Sequence, residues 1–322
     1  MSPILSVRGL TVRYPGTARP AVEGVGFDLE PGATVAVVGE SGSGKSTVAL
    51  AVSRLLGPAV AVRAETMTFE GRDLLGLGRE ELRRLRAGRI AMVFQSPSGS
   101  WNPTRTIGAQ LVDGLRAAGR WPERRDALVA LLSRVGIHDP ESRLNDYPHR
   151  FSGGMLQRAM IAGALVTEPS LLIADEPTSA LDTTVQAEIL EILDELRAER
   201  DLAMILISHD LGVVARLARH TLVLYGGRTV ERGPTAEIYR HRGHPYTQGL
   251  LAAVPRLDGP RKTPLPAMAQ GPVAHSGCVF APRCPRAEDR CRTSEPALRP
   301  VGGIEVACHL AGEPGREPAW RM

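Results

Sequence analysis

The stretch Ala33-Thr-Val-Ala-Val-Val-Gly-Glu-Ser-Gly-Ser-Gly-Lys-Ser-Thr47 decides the fold of this 322-residue chain. Its first half is short, apolar and rich in β-branched residues, which predicts a buried strand over residues 33–39. The apolar run at residues 48–56 that follows the glycines predicts a helix. Strand, glycine-rich loop and helix therefore occur in the order that a phosphate-binding unit of an α/β protein requires.

The loop itself, residues 39–47, fits the pattern G-x-x-x-x-G-K-[ST]. In such a loop, backbone N–H groups converge on phosphate oxygens, and the helix N-terminus adds a partial positive charge. We expect Lys45 to reach the β- and γ-phosphates of ATP, Ser46 to bind Mg²⁺ and Thr47 to contact the α-phosphate. The residues expected to bind ATP in this loop are Gly39, Glu40, Ser41, Gly42, Ser43, Gly44, Lys45, Ser46 and Thr47.

Lysine usage singles out one of these positions. Of the 39 Lys and Arg residues, only Lys45 and Lys262 are lysine. A chain with this preference for arginine is expected to keep lysine where a compact ammonium is required and a planar guanidinium does not fit. Lys45 lies in such a place.

Two further apolar runs end in polar residues that suit ATP chemistry. The run Ser170-Leu-Leu-Ile-Ala-Asp175 predicts a buried strand that ends where parallel sheets place their ligands. We expect Asp175 to bind Mg²⁺ and Glu176 to act as the base on the attacking water. The run at residues 203–208 delivers His209 in the same way, although a single His also suits a simple strand end.

Size and composition indicate one large globular domain with a smaller appendage, and 43% hydrophobic residues suffice for a core. No run approaches the ~20 apolar residues of a membrane helix, and the N-terminus lacks signal-peptide blocks, so we expect a cytoplasmic protein. A net charge of +4 does not favour a nucleic-acid partner. The most basic run, residues 78–89, predicts a solvated helical face on which Glu80 and Glu81 pair with Arg83 and Arg84.

The octapeptide Phe151-Ser-Gly-Gly-Met-Leu-Gln-Arg158, followed by the strand that ends in Asp-Glu, resembles the signature sequence of the ATP-binding cassette (ABC) family. The resemblance implies an α/β fold with a P-loop NTPase (RecA-like) core, an antiparallel β subdomain and a helical subdomain at about residues 100–165. It implies a nucleotide-binding domain over residues 1–255. In this family, two such domains pair head to tail around two ATP molecules.

The resemblance also implies roles for residues outside the loop. His209 matches the switch histidine that contacts the γ-phosphate, and Gln95 matches the glutamine that links Mg²⁺ and water to the transport machinery. Tyr14 is the aromatic residue expected to stack on adenine, unless its ring packs only on a strand. Leu156 stands where the family usually has Arg or Gln. The residues that we expect to contact the ATP of a partner domain are Ser152, Gly153, Gly154, Gln157 and, in the D-loop 179–182, Asp182.

Five prolines in residues 255–272 predict a linker, and residues 256–322 form a small C-terminal extension. Its sequence Gly277-Cys-Val-Phe-Ala-Pro-Arg-Cys-Pro285 resembles the ATPase subunits of bacterial dipeptide and oligopeptide importers and their nickel-transporting relatives. Disulfides are disfavoured in a cytoplasmic protein, which leaves a 4Fe-4S cluster, zinc or free thiols as alternatives. The resemblance favours the cluster. Its expected ligands are Cys278, Cys284, Cys291 and Cys308.

The function expected from this resemblance is that of an ATP-hydrolysing subunit of a bacterial importer for peptides or related solutes, including nickel or metal chelates. The implied partners are a second, non-identical ABC ATPase, two membrane permease subunits and an extracytoplasmic solute-binding protein. The implied location is the cytoplasmic face of the cell membrane. The alternative is a non-transport ABC ATPase that acts on ribosomes or DNA.

Overall fold

Two β-sheets organise the chain, and a computed structural model describes residues 2–178, 181–254 and 268–312. The strands are β1 (Leu5–Arg13), β2 (Val22–Leu29), β3 (Thr34–Val38), β4 (Ala61–Arg63), β5 (Thr66–Phe69), β6 (Arg72–Asp73), β7 (Ile90–Val93), β8 (Leu171–Asp175), β9 (Ala203–Ile207), β10 (His220–Tyr225), β11 (Arg228–Pro234), β12 (Arg299–Val301) and β13 (Ile304–Val306). The helices are α1 (Lys45–Val52), α2 (Arg79–Gly88), α3 (Pro97–Ser100), α4 (Ile107–Ala117), α5 (Arg125–Arg134), α6 (Pro140–Arg143), α7 (Gly153–Leu165), α8 (Thr183–Arg200), α9 (Leu211–Leu217), α10 (Thr235–His241), α11 (Pro245–Ala252) and α12 (Asp289–Thr293), with 3-10 turns at Pro148–Arg150 and Ala281–Arg283.

The larger sheet has the order β12-β13-β11-β10-β3-β9-β8-β7. Its five strands β10, β3, β9, β8 and β7 run parallel. Every residue of β3, β8 and β9 is buried, which explains why these strands have continuous apolar sequences. Because the strands are parallel, the residues that follow each of them meet at one edge of the sheet.

The smaller sheet is antiparallel, with the order β2-β1-β5-β6 and β4 also paired with β1. Alternate residues of β1 are buried, and they join the apolar cluster that includes Val35 and Val37 of β3. Helices α4, α5 and α7 contribute to a second apolar cluster on the other part of the central sheet, which includes Leu172 of β8 and Leu206 of β9. The predicted α/β class, with an antiparallel sheet and a helical segment, is confirmed.

Helix α2 carries the basic run on an exposed face. Glu80 pairs with Arg83 at 2.8 Å and with Arg84 at 3.3 Å, as expected. The expected pairing of Glu81 on the same helix is wrong, because its carboxylate accepts from Arg72 at 2.6 Å. None of the helices in the described ranges is long and apolar enough to cross a membrane.

The C-terminal extension continues the central sheet. Strand β13 pairs antiparallel with β11, and β12 pairs with β13. Aromatic residues of both parts share one apolar cluster, in which Tyr246 and Phe280 are fully buried. The predicted boundary between residues 255 and 256 lies outside the described residues.

A buried histidine begins the last helix of the cassette. His244 is 1% exposed, and its Nδ1 accepts from the N–H of Tyr246 at 3.0 Å. Its own backbone N–H donates to the buried carboxylate of Glu231 at 2.9 Å. Burial lowers the pKa of His244 from 6.5 to about 3, and burial raises the pKa of Glu231.

We therefore predict an acid-sensitive stability that depends on this histidine. The folded-state pKa lies below the unfolded value of 6.5, so the stabilising contribution is complete above that value and is lost as the pH falls below it. Over that range the slope approaches about 1.4 kcal/mol per pH unit. His244→Asn keeps a side-chain acceptor at the helix start but does not titrate.

Urea unfolding at a series of pH values tests this prediction. We expect the free energy of unfolding to fall more steeply with acid in the original chain than in the Asn variant. Glu231 is present in both chains, so its own titration largely cancels in the comparison. Equal slopes in the two chains would contradict a buried neutral His244.

Candidate nucleotide site

The predicted phosphate-binding loop lines a cavity of about 830 Å³ at the carboxyl edge of the parallel strands. The strand–loop–helix unit forms as predicted, with β3 ending at Val38 and α1 beginning at Lys45. Ser43 and Asp175 are buried next to this cavity but do not line it. The predicted residues that do line it are Gly39, Glu40, Ser41, Gly42, Gly44, Lys45, Ser46, Thr47, Gln95, Glu176 and His209.

At two glycines of the loop, a side chain would both strain the backbone and clash with neighbouring backbone. Gly39 has φ +151°, and a Cβ there would lie 2.2 Å from the carbonyl oxygen of Leu224. Gly44 has φ +103°, and its Cβ would lie 2.8 Å from the carbonyl oxygen of Ala21. At Gly39 and Gly44 the loop therefore packs directly on the neighbouring backbone. This packing fixes the shape of the loop, whose backbone N–H groups are expected to bind phosphate.

Lys45 is 7% exposed and lies inside the curve of the loop. Its Nζ donates to the carbonyl oxygens of Gly39 at 2.8 Å and Glu40 at 2.9 Å. Burial lowers the pKa of Lys45, and the negative charges of Glu176, Asp175 and Glu40 oppose that shift. A buried ammonium among carboxylates suits a site that receives the oxygens of a polyphosphate.

The end of β8 provides donors that fit a divalent cation. Asp175 is 5% exposed, and its Oδ1 has no hydrogen-bond partner within the described residues. Burial raises the pKa of Asp175, while a hydrogen bond with Ser46 opposes the shift. A buried carboxylate oxygen beside a hydroxyl is a donor set that Mg²⁺ prefers.

Glu176 lies between the other two predicted catalytic side chains. Its Oε2 accepts from Nε2 of Gln95 at 2.9 Å, and its Oε1 lies 3.2 Å from Nδ1 of His209. The backbone of Glu176 has φ +49°, an uncommon conformation for this residue type that turns the chain sharply after β8. The structure thus gathers residues from the ends of three strands, β7, β8 and β9, around one carboxylate.

Tyr14 lies at the margin of the site. Its hydroxyl is 3.4 Å from Oγ1 of Thr47, and its half-buried ring packs against the apolar cluster between the two sheets. The ring does not line the cavity. In this structure the ring of Tyr14 packs on the strands, which was the alternative to adenine stacking. Stacking of this ring on adenine stays a prediction.

The signature residues do not line the cavity of their own chain. Ser152 and Gly153 are exposed, and Gly154 is half-buried. The Oγ of Ser152 accepts from the N–H of Met155 at 3.2 Å and so caps α7. None of the three lines the cavity, so any contact that they make with ATP would be with ATP held elsewhere.

Gln157 points inward within its own chain, and its contact with the ATP of a partner stays a prediction. Its side chain is 1% exposed, and its Nε2 donates to the carbonyl oxygen of Pro177 at 2.8 Å. On a helix, position 157 lies on the face that packs against the core, which the motif alone does not reveal. Leu156 is also buried, in the cluster of the helical segment, so an apolar residue suits that position.

Asp182 is exposed and caps α8, because its Oδ1 accepts from the N–H of Val185 at 3.0 Å. It does not line the cavity of its own chain. Ser179 and Ala180, the first two residues of the predicted D-loop, lie outside the described residues. The contact of Asp182 with a partner stays a prediction.

The sequence did not reveal one wall of the cavity. Leu250, Ala253 and Val254, at the end of α11, line it together with Asp210 and Leu211. Val254 is 37% exposed, although it is apolar. No spacing motif marks these residues, so the sequence carried no signal that they line the cavity.

The four cysteines are free, with Cys278, Cys291 and Cys308 buried and Cys284 partly buried. Burial raises the pKa of the Cys278 and Cys308 thiols, and that of Cys284 to about 11. The thiols are near enough to influence one another electrostatically. As they are placed, however, the described residues contain no group of three or more His, Cys, Asp or Glu that fits a metal ion.

Comparison with known proteins places this site in a family. The family described as "ABC transporter" matches residues 22–179. The family described as "Oligopeptide/dipeptide transporter, C-terminal region" matches residues 230–291. A solved structure described as a dimeric structure of MJ0796, a bacterial ABC transporter cassette, is similar with a TM-score of 0.64 and 26% identity, over 72% of this chain and 98% of that one.

Curated relatives match the chain over nearly its whole length. The dipeptide transport ATP-binding protein DppD of Escherichia coli (strain K12) is 43% identical, over 97% of this chain and 99% of the relative. A putative peptide import ATP-binding protein of Brucella ovis is 45% identical, over 93% and 94%. The chain therefore belongs to the ABC transporter family of ATPases, in the group of ATP-binding subunits that carry the oligopeptide/dipeptide transporter C-terminal region.

Proposed function

We propose that the chain binds and hydrolyses ATP to drive the import of peptides or related solutes through membrane subunits. One observation carries this proposal: a nucleotide cavity and an oligopeptide-type C-terminal region occur in one chain that matches a dipeptide transport subunit over nearly its whole length. Nickel or metal chelates are alternative cargoes, because cargo is selected by the other subunits of such importers.

In the proposed reaction the loop holds the phosphates and Lys45 neutralises their charge. Mg²⁺, held by Ser46, Asp175 and Gln95, would supply further charge neutralisation. Glu176 orients the attacking water and accepts its proton, while His209 and Gln95 hold that carboxylate in position. The hydrogen bond from Gln95 to Glu176 and the close approach of His209 Nδ1 to Glu176 support these roles.

Two cassettes complete each site in this proposal. The exposed N-terminus of α7, with Ser152 and Gly153, offers N–H groups and a hydroxyl to an anion that arrives from outside. Their position away from the cavity of their own chain supports contact with ATP on a second ATPase subunit. We propose that this second subunit is a non-identical ABC ATPase.

A groove between α2, β7 and the helical segment is the proposed contact with a permease. It has a volume of about 580 Å³ and is lined by residues that include Leu55, Phe94 and Trp101. Leu55 is 40% exposed and Phe94 is 37% exposed, and the indole N–H of Trp101 is buried without an acceptor in the described part of the chain. An apolar groove of this size fits one short amphipathic helix from a membrane subunit.

Docking at this groove would hold the chain peripherally at the cytoplasmic face of the membrane. A solute-binding protein on the other side would deliver the cargo. We predict that Phe94→Asp abolishes retention of the purified chain by its two membrane subunits, because the change places a charge in the apolar groove. Its ATP hydrolysis in the absence of the membrane subunits is expected to stay within about twofold of the original.

Co-purification from detergent extracts measures this effect. The matched control is Ala61→Asp, which adds the same charge at an exposed position of β4 in the other sheet. We expect the control variant to be retained normally. Normal retention of the Phe94 variant would contradict the assignment of the groove.

Uptake tests the function as a whole. The chain, its partner ATPase and the two membrane subunits are reconstituted in vesicles with the solute-binding protein, and uptake of a labelled dipeptide is measured with and without ATP. ATP-dependent uptake supports the proposal. Retention of the chain on ribosomes or DNA instead of membrane subunits would favour the alternative function, which the import proteins among its relatives do not support.

The 4Fe-4S cluster stays a hypothesis from the sequence. The described residues as placed do not form a metal-holding group, and no step of the proposed reaction passes through one. Anaerobic purification with iron, sulfide and zinc analysis and a visible spectrum distinguishes a cluster, zinc and free thiols. A colourless protein without iron after anaerobic reconstitution would reject the cluster.

A further inference from the structure

The C-terminal extension reaches into the nucleotide site through one arginine. Arg283 donates two hydrogen bonds to the carboxylate of Glu40, from Nη1 to Oε2 at 2.6 Å and from Nη2 to Oε1 at 2.8 Å. Glu40 is the second residue of the phosphate-binding loop and lines the cavity. The two residues are 243 positions apart in the chain.

The guanidinium of Arg283 is nearly buried and has several further contacts. Its side chain is only 9% exposed. Its Nε donates to the carbonyl oxygen of Ala269 at 2.6 Å, and its Cζ lies 5.5 Å from the ring centre of Tyr225 and 5.8 Å from that of Phe280. A planar guanidinium that packs beside two rings and is paired in a fork is strongly preorganised.

Glu40 is also held at its backbone. Its N–H donates to the hydroxyl of the buried Tyr246 at 2.7 Å, and its carbonyl oxygen accepts from Lys45 at 2.9 Å. The carboxylate is therefore the third group of Glu40 that has a defined partner. Together these contacts fix the start of the loop, where the chain leaves β3.

Charge makes the pairing important for ATP. An unpaired carboxylate in a phosphate-binding loop would repel the polyphosphate, because the two groups carry charges of the same sign. The hydrogen bonds with Glu40 raise the pKa of Arg283, as expected for an arginine that neutralises this carboxylate. The extension thus supplies a positive charge directly to the carboxylate of Glu40.

We propose that Arg283 is a positioning residue for ATP binding: it holds Glu40 so that the phosphate-binding loop keeps its shape, and it cancels the charge of that carboxylate. The C-terminal extension is then part of the nucleotide site and not only an appendage. Because Cys284 follows Arg283 directly, the backbone that carries the thiols also carries this anchor. The inference deepens the ATPase function and does not depend on peptide import.

Equilibrium binding of a fluorescent ATP analogue to the purified chain tests the proposal, together with kcat and KM for ATP. We expect Arg283→Gln to raise the Kd and KM on the order of tenfold to a hundredfold, with a smaller effect on kcat. Arg283→Lys keeps the charge but not the fork, so its Kd is expected to lie between those of the original chain and the Gln variant. The double variant Arg283→Gln, Glu40→Gln is expected to bind more tightly than Arg283→Gln alone, because the unpaired carboxylate is gone.

A matched control separates this role from general support of the fold. Glu305 in β13 accepts two hydrogen bonds from Arg232 of β11, at 2.6 and 3.1 Å, and so also ties the extension to the cassette. Glu305→Gln disrupts this pair, which does not line the cavity. We expect the Kd of that variant for ATP to stay within about twofold of the original value. Thermal unfolding of every variant shows whether it is folded.

Three results would overturn the proposal. The first is an Arg283→Gln variant that binds ATP as tightly as the original chain. The second is an equal loss of ATP binding in the Glu305→Gln control, which would show a purely structural role. The third is a double variant no tighter than Arg283→Gln. None of these measurements uses peptides or membrane subunits, so failure of the import proposal would leave the outcome unchanged.

Discussion

Replacing Glu176 with Gln is expected to lower ATP turnover by about 10²–10⁴-fold while ATP binding remains. The amide has nearly the same shape as the carboxylate, so it can still lie between Gln95 and His209, which approach Glu176 at 2.9 and 3.2 Å. It cannot accept a proton from water. ATP would therefore persist in the site, and two cassettes would stay closed around it.

Phosphate release measures the loss of turnover, and sedimentation in the presence of ATP measures the closed pair, with the partner ATPase added. Glu195→Gln is a suitable control, because Glu195 is an exposed carboxylate on α8 that pairs only with the surface residue Arg134 among the described contacts. We expect that variant to hydrolyse ATP normally. Normal hydrolysis by the Glu176 variant would refute the base assignment.

Replacing Lys45 with Arg is expected to reduce ATP binding or turnover on the order of a hundredfold, although the charge is unchanged. The ammonium fits between the carbonyl oxygens of Gly39 and Glu40, at 2.8 and 2.9 Å, in a side chain that is 7% exposed. A guanidinium is wider and planar. It would therefore push the loop away from Leu224 and Ala21, against which Gly39 and Gly44 pack.

Nucleotide affinity and phosphate release are measured for this variant beside Arg84→Lys. Arg84 has a side chain that is 73% exposed on α2, so the reverse exchange there is expected to change neither quantity by more than about twofold. Full activity of the Lys45 variant would undo the argument from lysine usage. Lys262, the other lysine, lies outside the described residues.

Much of the site could be predicted because each part of it is encoded by a short, continuous stretch of sequence. Apolar runs such as residues 33–39 and 170–175 predict buried strands, and the polar residue after each run must lie at the carboxyl edge of a parallel sheet. Gln95, Glu176 and His209 are brought together in this way from the ends of different strands. The order and register in which these strands pair are then decided by how their apolar side chains pack in the core.

Side-chain direction was harder to predict. Gln157 belongs to the same octapeptide as Ser152, yet it turns toward Pro177 while Ser152 faces outward. The reason is the helical period: five residues along α7 move a side chain from one face to another, and only the packed core decides which face is buried. The motif names the residues without giving their orientation.

The sequence by itself determined the phosphate-binding loop, the strands that support it and the family, because these depend on short spacings and on apolar periodicity. Only the tertiary structure decided that Leu250 and Val254 line the cavity and that Arg283 holds Glu40. Arg283 and Glu40 are far apart in the chain, and the pairing of β13 with β11 helps to hold the extension that carries Arg283 beside the cassette. Packing of the aromatic residues around Phe280 then fixes the arginine at the nucleotide site.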